Sequence, residues 1–124
     1  MNRKTILILA ASTGILAVGL GAFGAHALKP MLMASARLDT YQTAVGYQFY
    51  HVFALLATGI LMKEFDQKKL GLAGLCFTLG IVLFSGSLYV ICFTGITSFG
   101  LVTPFGGVLF IAGWIFMLSS FLKK

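Results

Sequence analysis

Few side chains in this sequence could bind a metal or carry out acid–base chemistry. They are two histidines (His26 and His51), two cysteines (Cys76 and Cys92) and three carboxylates (Asp39, Glu64 and Asp66). A haem or a shared metal would have to use both histidines, which we place about 3 Å and about 10 Å inside the ends of different hydrophobic segments. Antiparallel neighbouring helices would hold the two imidazoles almost one helical turn apart in height. The sequence therefore predicts no cofactor and no metal site, and a haem or redox protein is the weakest of three functional hypotheses.

Covalent chemistry is disfavoured by the surroundings of the candidate nucleophiles. Cys76 and Cys92 lie on one predicted helix, about 24 Å apart, which is beyond the reach of a disulfide. Ser85, His51 and Asp39 contain the atoms of a hydrolytic triad. No nucleophile-elbow pattern surrounds the serine, however, and Asp39 belongs at the membrane surface. We predict that the protein is not an enzyme.

The three carboxylates all fall in predicted loops, so no hydrophobic segment contains an acid. Proton- or sodium-coupled carriers use intramembrane Asp or Glu to hold the coupling ion, and small multidrug-type transporters depend on such a residue. The sequence disfavours both. An oxygen-lined or hydrophobic pore needs no acid, so a channel or passive carrier stays open as an alternative.

The composition identifies the bilayer as the solvent of this chain. Of its 124 residues, 59% are apolar and 10% are charged, and the mean hydropathy is +0.99, whereas soluble domains carry about 25% charged residues. A soluble enzyme and a nucleic-acid-binding protein both need polar surface that this sequence lacks. Four apolar runs, residues 6–28, 44–62, 70–93 and 105–122, are each long enough to cross ~30 Å of hydrocarbon as a helix. We predict a single membrane domain, residues 1–124, with an all-α fold of four transmembrane helices.

The distribution of cations predicts the orientation. Of the 9 Lys and Arg residues, only Lys29 and Arg37 lie between the first two runs, and none lies between the third and the fourth. By the positive-inside rule, both termini face the cytoplasm of a bacterial plasma (inner) membrane in a multi-pass topology. The net charge of +6 then reflects topology and attraction to anionic lipid, with no nucleic-acid partner. A signal peptide cleaved at residues 25–27 is disfavoured because the first run is long for a signal core.

A short amphipathic stretch, residues 30–43, lies between the first two runs. It carries apolar side chains but is too short to span, so we expect a short interfacial helix on the outer surface. Pro30 suits the first turn of this helix. Asp39 and Gln42 have the spacing of a capping box that opens the second transmembrane helix.

Small residues predict how the helices pack. Ala10, Gly14, Ala17, Gly21 and Gly24 recur with the left-handed coiled-coil period on the first run. Helices in lipid associate through close backbone contact at such seams. The seam is therefore interpreted as a helix contact rather than a ligand site.

Polar stripes on the second and third runs predict a common contact. Tyr47, His51 and Thr58 share a face of one helix, and Ser85 and Tyr89 share a face of the other. Unpaired polar atoms are costly in hydrocarbon, so the stripes should face each other. We predict a small polar cluster in the outer half of the bundle, formed by Tyr47, Gln48, His51, Ser85, Ser87 and Tyr89. Interhelical hydrogen bonding is the favoured interpretation, and ligand binding is the alternative.

Several strings carry a resemblance. They are residues 21–28 (Gly-Ala-Phe-Gly-Ala-His-Ala-Leu), Tyr41 with Ala44, Tyr47-Gln48 with His51, residues 84–89 (Phe-Ser-Gly-Ser-Leu-Tyr), Thr94-Gly95, Thr103-Pro104 with Gly106-Gly107, and Gly113-Trp114. Together they resemble the YwdK/YgdD-like family of small bacterial inner-membrane proteins, a domain-of-unknown-function family similar to a eukaryotic small transmembrane protein. The resemblance implies four transmembrane helices, no established activity and no catalytic residues. It also implies that His26, His51 and the 84–89 string are a family pattern, which adds His26 to the candidate binding residues.

The leading hypothesis is a non-enzymatic structural, lipid-binding or partner-binding component of the plasma membrane. Its expected partners are membrane lipids and either a second copy or another membrane protein, because the 15 glycines suit close packing within and between chains. The alternative is a channel or passive carrier for a small solute that passes the outer polar cluster.

Overall fold

The structure is a computed structural model that describes residues 1–122. Its elements are α1 (Arg3–Ala25), α2 (Lys29–Ala34), α3 (Leu38–Leu61), α4 (Gln67–Gly80), a π-helical turn (Ile81–Ser85), α5 (Gly86–Thr94), a 3-10 helix (Thr97–Leu101) and α6 (Thr103–Leu122). Within this part of the chain, α1, α3, the continuous α4–π–α5 rod and the rod that ends in α6 are long and apolar enough to cross a membrane. The all-α membrane architecture, with the short helix α2 between the first two spans, confirms the predicted fold class.

Local chemistry explains the starts of three helices. The Asn2 side chain caps α1 by accepting from the backbone N–H of Thr5, and Asp66 caps α4 by accepting from the N–H groups of Lys68 and Lys69. Pro30 lies in the first turn of α2, as predicted.

The start of α3 differs from the prediction. The helix begins at Leu38, six residues before the apolar run that starts at residue 44. Its N-cap is Arg37, which makes no side-chain capping bond, and Asp39 lies in the first turn, so the predicted capping box is wrong. The first turns of this helix are mostly polar, so a search for apolar runs places its start too late.

Helix α3 is the central element of the bundle. It packs against α1 on one side and against α4, the π-helical turn and α5 on the other, while α6 packs mainly on α4. The predicted small-residue seam of α1 faces α3, which confirms its role. A Cβ atom at Gly14 would lie 3.4 Å from Val52, and one at Gly21 would lie 3.4 Å from Val45.

Glycines in the second half of the bundle make room for aromatic rings. A Cβ atom at Gly113 would lie 2.6 Å from the ring of Phe77, and one at Gly80 would overlap the ring of Phe110. At Gly106 a Cβ atom would overlap the backbone nitrogen of Phe84 and lie 2.7 Å from its Cα. Helix α6 therefore approaches the α4–π–α5 rod as closely as backbone allows.

Two cations close one end of the bundle. The Arg3 Nε donates to the Gly59 carbonyl (3.1 Å), and the Lys69 Nζ donates to the Ser119 carbonyl (3.3 Å). Both carbonyls lie in the last turns of α3 and α6, where helical acceptors lack a backbone donor and cations are favourable. These contacts group the helix ends that the charge pattern assigns to the cytoplasm.

A methyl group at Gly106 should be among the most damaging small changes in the chain. We expect Gly106→Ala to destabilise the bundle by about 1–3 kcal/mol because the backbone of Phe84 cannot move aside. Gly107→Ala is the matched control, since its Cβ would meet only Phe84 Cδ2 at 3.9 Å. Denaturation in detergent micelles measures both, and equal stability of the two variants would contradict the packing described here.

Candidate functional site

Gln48 connects three helices in the interior. Its side chain is buried on α3, its Nε2 donates to the Thr13 carbonyl of α1 (3.0 Å), and its Oε1 accepts from the Tyr89 hydroxyl of α5 (2.6 Å). Both ends of the amide are therefore used, and the bond to Thr13 ties the side chain to the backbone of α1.

Tyr41 makes a second contact between the same three helices, nearer the outer end. Its hydroxyl donates to the Leu20 carbonyl of α1, and its ring covers Gly24 so closely that no Cβ atom could fit there. On the other side the ring meets Tyr89 edge to face at 5.5 Å. Such aromatic pairs add about 0.5–1.5 kcal/mol to burial alone.

Ser85 ends the π-helical turn and points at α3. Its Oγ donates to the Ala44 carbonyl (2.7 Å), and the side chain is fully buried. Two residues on, the Ser87 Oγ lies 2.9 Å from the Phe84 carbonyl and 2.5 Å from the Thr103 hydroxyl at the start of α6. The widened turn thus directs one serine toward α3 and the next toward α6.

His51 is held by hydrogen bonds on both ring nitrogens. Its Nδ1 lies 2.8 Å from the Tyr47 carbonyl, and its Nε2 lies 3.1 Å from the indole Nε1 of Trp114. A carbonyl oxygen can only accept, so Nδ1 carries the ring hydrogen and donates it. An indole N–H can only donate, so Nε2 accepts and carries no hydrogen, and the His51 ring is neutral. The imidazole is 4% exposed and stacks on Phe110 at 3.5 Å between ring centroids.

Each interior polar group has at least one hydrogen-bonding partner. Among residues 1–122, every buried side-chain nitrogen or oxygen has a hydrogen-bonding partner. The same part of the chain brings together no group of three or more His, Cys, Asp or Glu side chains that could hold a metal ion. A ligand that entered this region would have to break existing bonds, so the arrangement is suited to fixing the helix packing.

The structure places the predicted cluster residues in several separate contacts. Gln48 and Tyr89 are bonded to each other, and Ser85, Ser87 and His51 are buried between helices as predicted. These contacts are nevertheless distinct, because Ser85, Ser87 and His51 are bonded neither to this pair nor to one another.

Two predicted residues lie outside the interior contacts. Tyr47 is 42% exposed, and only its ring packs inward, against Phe84 at 4.6 Å. His26 caps the end of α1 and is exposed. Gly24, two residues before His26, lies at the level of Tyr41 of α3. His51 lies ten residues, or about 15 Å, further along α3, so the two histidines are far apart.

Sequence reasoning missed three partners. Trp114 was noted only in the Gly-Trp pair, although it is the single Trp of the chain and an indole N–H buried in lipid needs an acceptor. Tyr41 could have been recognised as the large side chain opposite the glycines of α1. The Thr13 carbonyl gives no sequence signal, because any residue supplies one.

Two accessible recesses lie on the outer half of the bundle. A groove of about 320 Å³ separates α1 from α3, with Gly21 and Gly24 on one wall, Tyr41 and Val45 on the other, and Lys29 also lining it. A shallower recess of about 400 Å³ follows the outward side of α3 itself. It is lined by Asp39, Gln42, Thr43, Gly46, Tyr47 and Tyr50.

Comparison with known proteins agrees with this architecture. Residues 20–107 match the family described as "Protein of unknown function (DUF423)". The chain belongs to this family. It is 43% identical to the UPF0382 membrane protein SSP2132 of Staphylococcus saprophyticus, covering 97% of this chain and 98% of that protein.

Two further relatives extend the family across bacteria. The UPF0382 membrane protein YwdK of Bacillus subtilis is 40% identical, covering 97% of this chain and 98% of its own. The UPF0382 inner membrane protein YgdD of Escherichia coli K12 is 39% identical, covering 99% and 93%. No solved structure matches the chain. The protein is therefore a multi-pass protein of the bacterial plasma membrane, in a family of unknown function.

The Gln48–Tyr89 bond should be measurable as a coupling energy. We expect Gln48→Leu and Tyr89→Phe each to destabilise this family member by roughly 1–3 kcal/mol because each leaves a buried partner unpaired. The double variant should lose less than the sum, by about 0.6–1.7 kcal/mol. Tyr47→Phe is the control, since this side chain is 42% exposed and packs through its ring. Strict additivity in detergent denaturation would show that the bond contributes nothing.

The His51 tautomer is a second testable property of the interior. Solid-state ¹⁵N spectra of the protein in bilayers should show a neutral ring with its hydrogen on Nδ1. Trp114→Phe should move the Nε2 resonance, because that nitrogen loses its donor, and Tyr47→Phe should move neither, because it keeps its backbone carbonyl. A hydrogen found on Nε2 would contradict the Trp114 contact.

Proposed function

We propose that this protein is a non-enzymatic component of the plasma membrane that binds a phospholipid of the outer leaflet in the groove between α1 and α3. The observation that supports the proposal most strongly is the contrast between a hydrogen-bonded interior and an open surface. The buried polar groups of the described residues are bonded to one another, while the groove is accessible from the side of the bundle.

The lining of the groove suits a lipid. Among its lining residues, the exposed Ala25 of α1 and the half-buried Val45 of α3 offer apolar surface to an acyl chain. Its volume of about 320 Å³ lies at the lower end of ligand sites, which run from ~300 to 1,000 Å³.

Charge favours an anionic headgroup at the mouth. Lys29 begins the interfacial helix α2 and is exposed, so its ammonium group is available to a phosphate at the level of the headgroups. One cation near an anionic membrane surface contributes about 1 kcal/mol.

Lys29→Gln tests the proposed site. Retention of phosphatidylglycerol by the solubilised protein, counted as bound adducts in native mass spectrometry, should weaken about fivefold, as expected for ~1 kcal/mol. Arg37→Gln is the matched control, because Arg37 carries the same charge in the same outer loop but lies beside Cys92, whose Sγ is 3.8 Å from the Arg37 carbonyl. Equal loss in both variants would show that the groove is not the site.

Proteoliposomes test the competing function. We expect no flux of small neutral solutes through the wild-type protein, because the interior polar groups are already bonded. Flux that depends on His51 and disappears in His51→Ala would replace the proposal with a passive channel.

A further inference from the structure

A further recess lies on the seam between α1 and α3, deeper in the membrane than the groove that we propose for lipid. We call it the inner recess, and its volume is about 270 Å³. Its lining residues are Ala10, Ala11 and Gly14 of α1 and Val52, Phe53 and Leu56 of α3.

The inner recess and the groove lie on the same side of the seam. Gly14 and Gly21 are seven residues apart on α1, and Val45 and Val52 are seven residues apart on α3. Seven residues make two helical turns, so the members of each pair point in nearly the same direction, about 10 Å apart along the helix. Gly14 faces Val52, and Gly21 faces Val45. Both helices therefore place the inner recess two turns deeper than the groove.

Two phenylalanine rings connect the groove to the inner recess. Phe49 is half-buried, and a Cβ atom added to Gly21 at the groove would lie 3.9 Å from its Cε2. The same ring stacks on Phe53, with 6.4 Å between ring centroids, and Phe53 lines the inner recess. The two rings form an apolar wall along α3. A hydrocarbon chain that lies against this wall passes from the groove into the inner recess.

The lining of the inner recess suits hydrocarbon. All six of its residues are apolar, whereas the groove also contains Lys29 and Gln42. Its rim on α3 consists of Phe53 and Leu56, which are 63% and 42% exposed, so the inner recess is open to the surrounding lipid. A polar headgroup would find no side-chain partner there.

The depth of the inner recess matches the end of an acyl chain of the outer leaflet. Val52 lies ten residues, or about 15 Å, deeper along α3 than Gln42, the exposed polar residue that lines the groove. One leaflet contributes about half of the ~30 Å of hydrocarbon. A chain whose headgroup lies at the mouth of the groove therefore ends at the level of the inner recess.

We propose that the inner recess receives the end of an acyl chain of the phospholipid whose headgroup lies beside Lys29, so that the protein selects its lipid by chain length. This inference rests on the proposed function and adds the tail to it. A tail attached to a bound headgroup is held beside the inner recess, so it competes with free lipid tails at a high effective concentration. The tail leaves other tails to enter, so close packing and not removal from water favours its binding. A chain that ends short of Val52 lacks this packing and binds less tightly.

Competition between two saturated lipids tests the selection. Wild-type protein in detergent receives equal amounts of dilauroyl- and dipalmitoyl-phosphatidylglycerol, and native mass spectrometry counts the two adducts. The longer-chain lipid should be retained at least about threefold better, because its last carbons pack in the inner recess. Equal retention of the two lipids would overturn the inference.

Ala11→Leu assigns the preference to the inner recess. Ala11 is exposed, so a leucine there fills the inner recess from its lipid side and leaves the buried helix contact in place. The preference for the longer chain should disappear, and retention of the dilauroyl lipid should stay unchanged. Ala22→Leu is the matched control and should keep the wild-type preference, because Ala22 is an exposed alanine of α1 that lines neither site. A preference that survives Ala11→Leu would contradict the assignment.

Photo-crosslinking of the wild-type chain locates the tail directly. Phosphatidylglycerol that carries a diazirine at the end of one acyl chain should label residues 10–14 and 52–56, and it should label them less in Lys29→Gln. Ile111, on the exposed side of α6, should be labelled weakly, since only free lipid reaches it. Even labelling of all exposed segments would overturn the inference. So would an unlabelled inner recess, as a helix of a second copy seated there would produce.

Lys29→Gln separates this inference from the proposed function. Loss of both lipids in Lys29→Gln, with no preference between them in the wild-type chain, would overturn only the assignment of the tail. Unchanged retention of both lipids in Lys29→Gln would overturn the proposed headgroup site, and the assignment of the tail with it.

Discussion

Hydrocarbon offers no hydrogen bonds, and this constraint determines how the interior of the bundle is built. A polar side chain on a transmembrane helix must find its partner on another helix or on its own backbone. Gln48 meets the constraint by bonding α1 and α5 at once, and His51 meets it with one backbone and one side-chain partner. The energy of each bond is modest, averaging about 0.6 kcal/mol in membranes, but an alternative packing would leave several groups unpaired together. The polar groups thus select one arrangement of helices that close packing alone would specify less sharply.

Close packing supplies the stabilisation that hydrophobic burial cannot supply between helices in lipid. Each important glycine accepts a particular neighbour: Gly24 accepts Tyr41, Gly80 accepts Phe110 and Gly113 accepts Phe77. A glycine without its ring would leave a void, and a ring without its glycine would not fit. The dispersion attraction between ring and backbone depends on this fit, and it acts in a lipid-embedded bundle as it does in a soluble core.

The sequence contained the fold but only part of the site. Length and hydropathy locate the spans. A run of this length in lipid must hydrogen-bond its own backbone groups, and a helix does this within the segment. The inward direction of Tyr89 was predictable, since polar residues must turn inward, and its hydroxyl bonds Gln48. The members of the α3 stripe contact other groups, because His51 bonds Trp114 of α6 and Thr58 bonds its own backbone. The bond from Gln48 to the Thr13 carbonyl was not predictable, because a backbone acceptor has no residue type. The prediction for Tyr47 was wrong for a different reason, because its ring packs on Phe84 while 42% of the residue stays exposed.

The two ends of the bundle are built differently, and this bears on where a binding partner would act. At the end assigned to the cytoplasm, Arg3 and Lys69 close the last turns of α3 and α6 by donating to free carbonyls. At the opposite end, α3 starts with exposed polar residues, and the grooves on both sides of Gly46 open there. The polar residues that open α3 precede residue 44, so they lie at the level of headgroups and water, which supply the hydrogen bonds that hydrocarbon cannot. A molecule that binds the bundle therefore meets closed helix ends on one side of the membrane and open polar and apolar surface on the other.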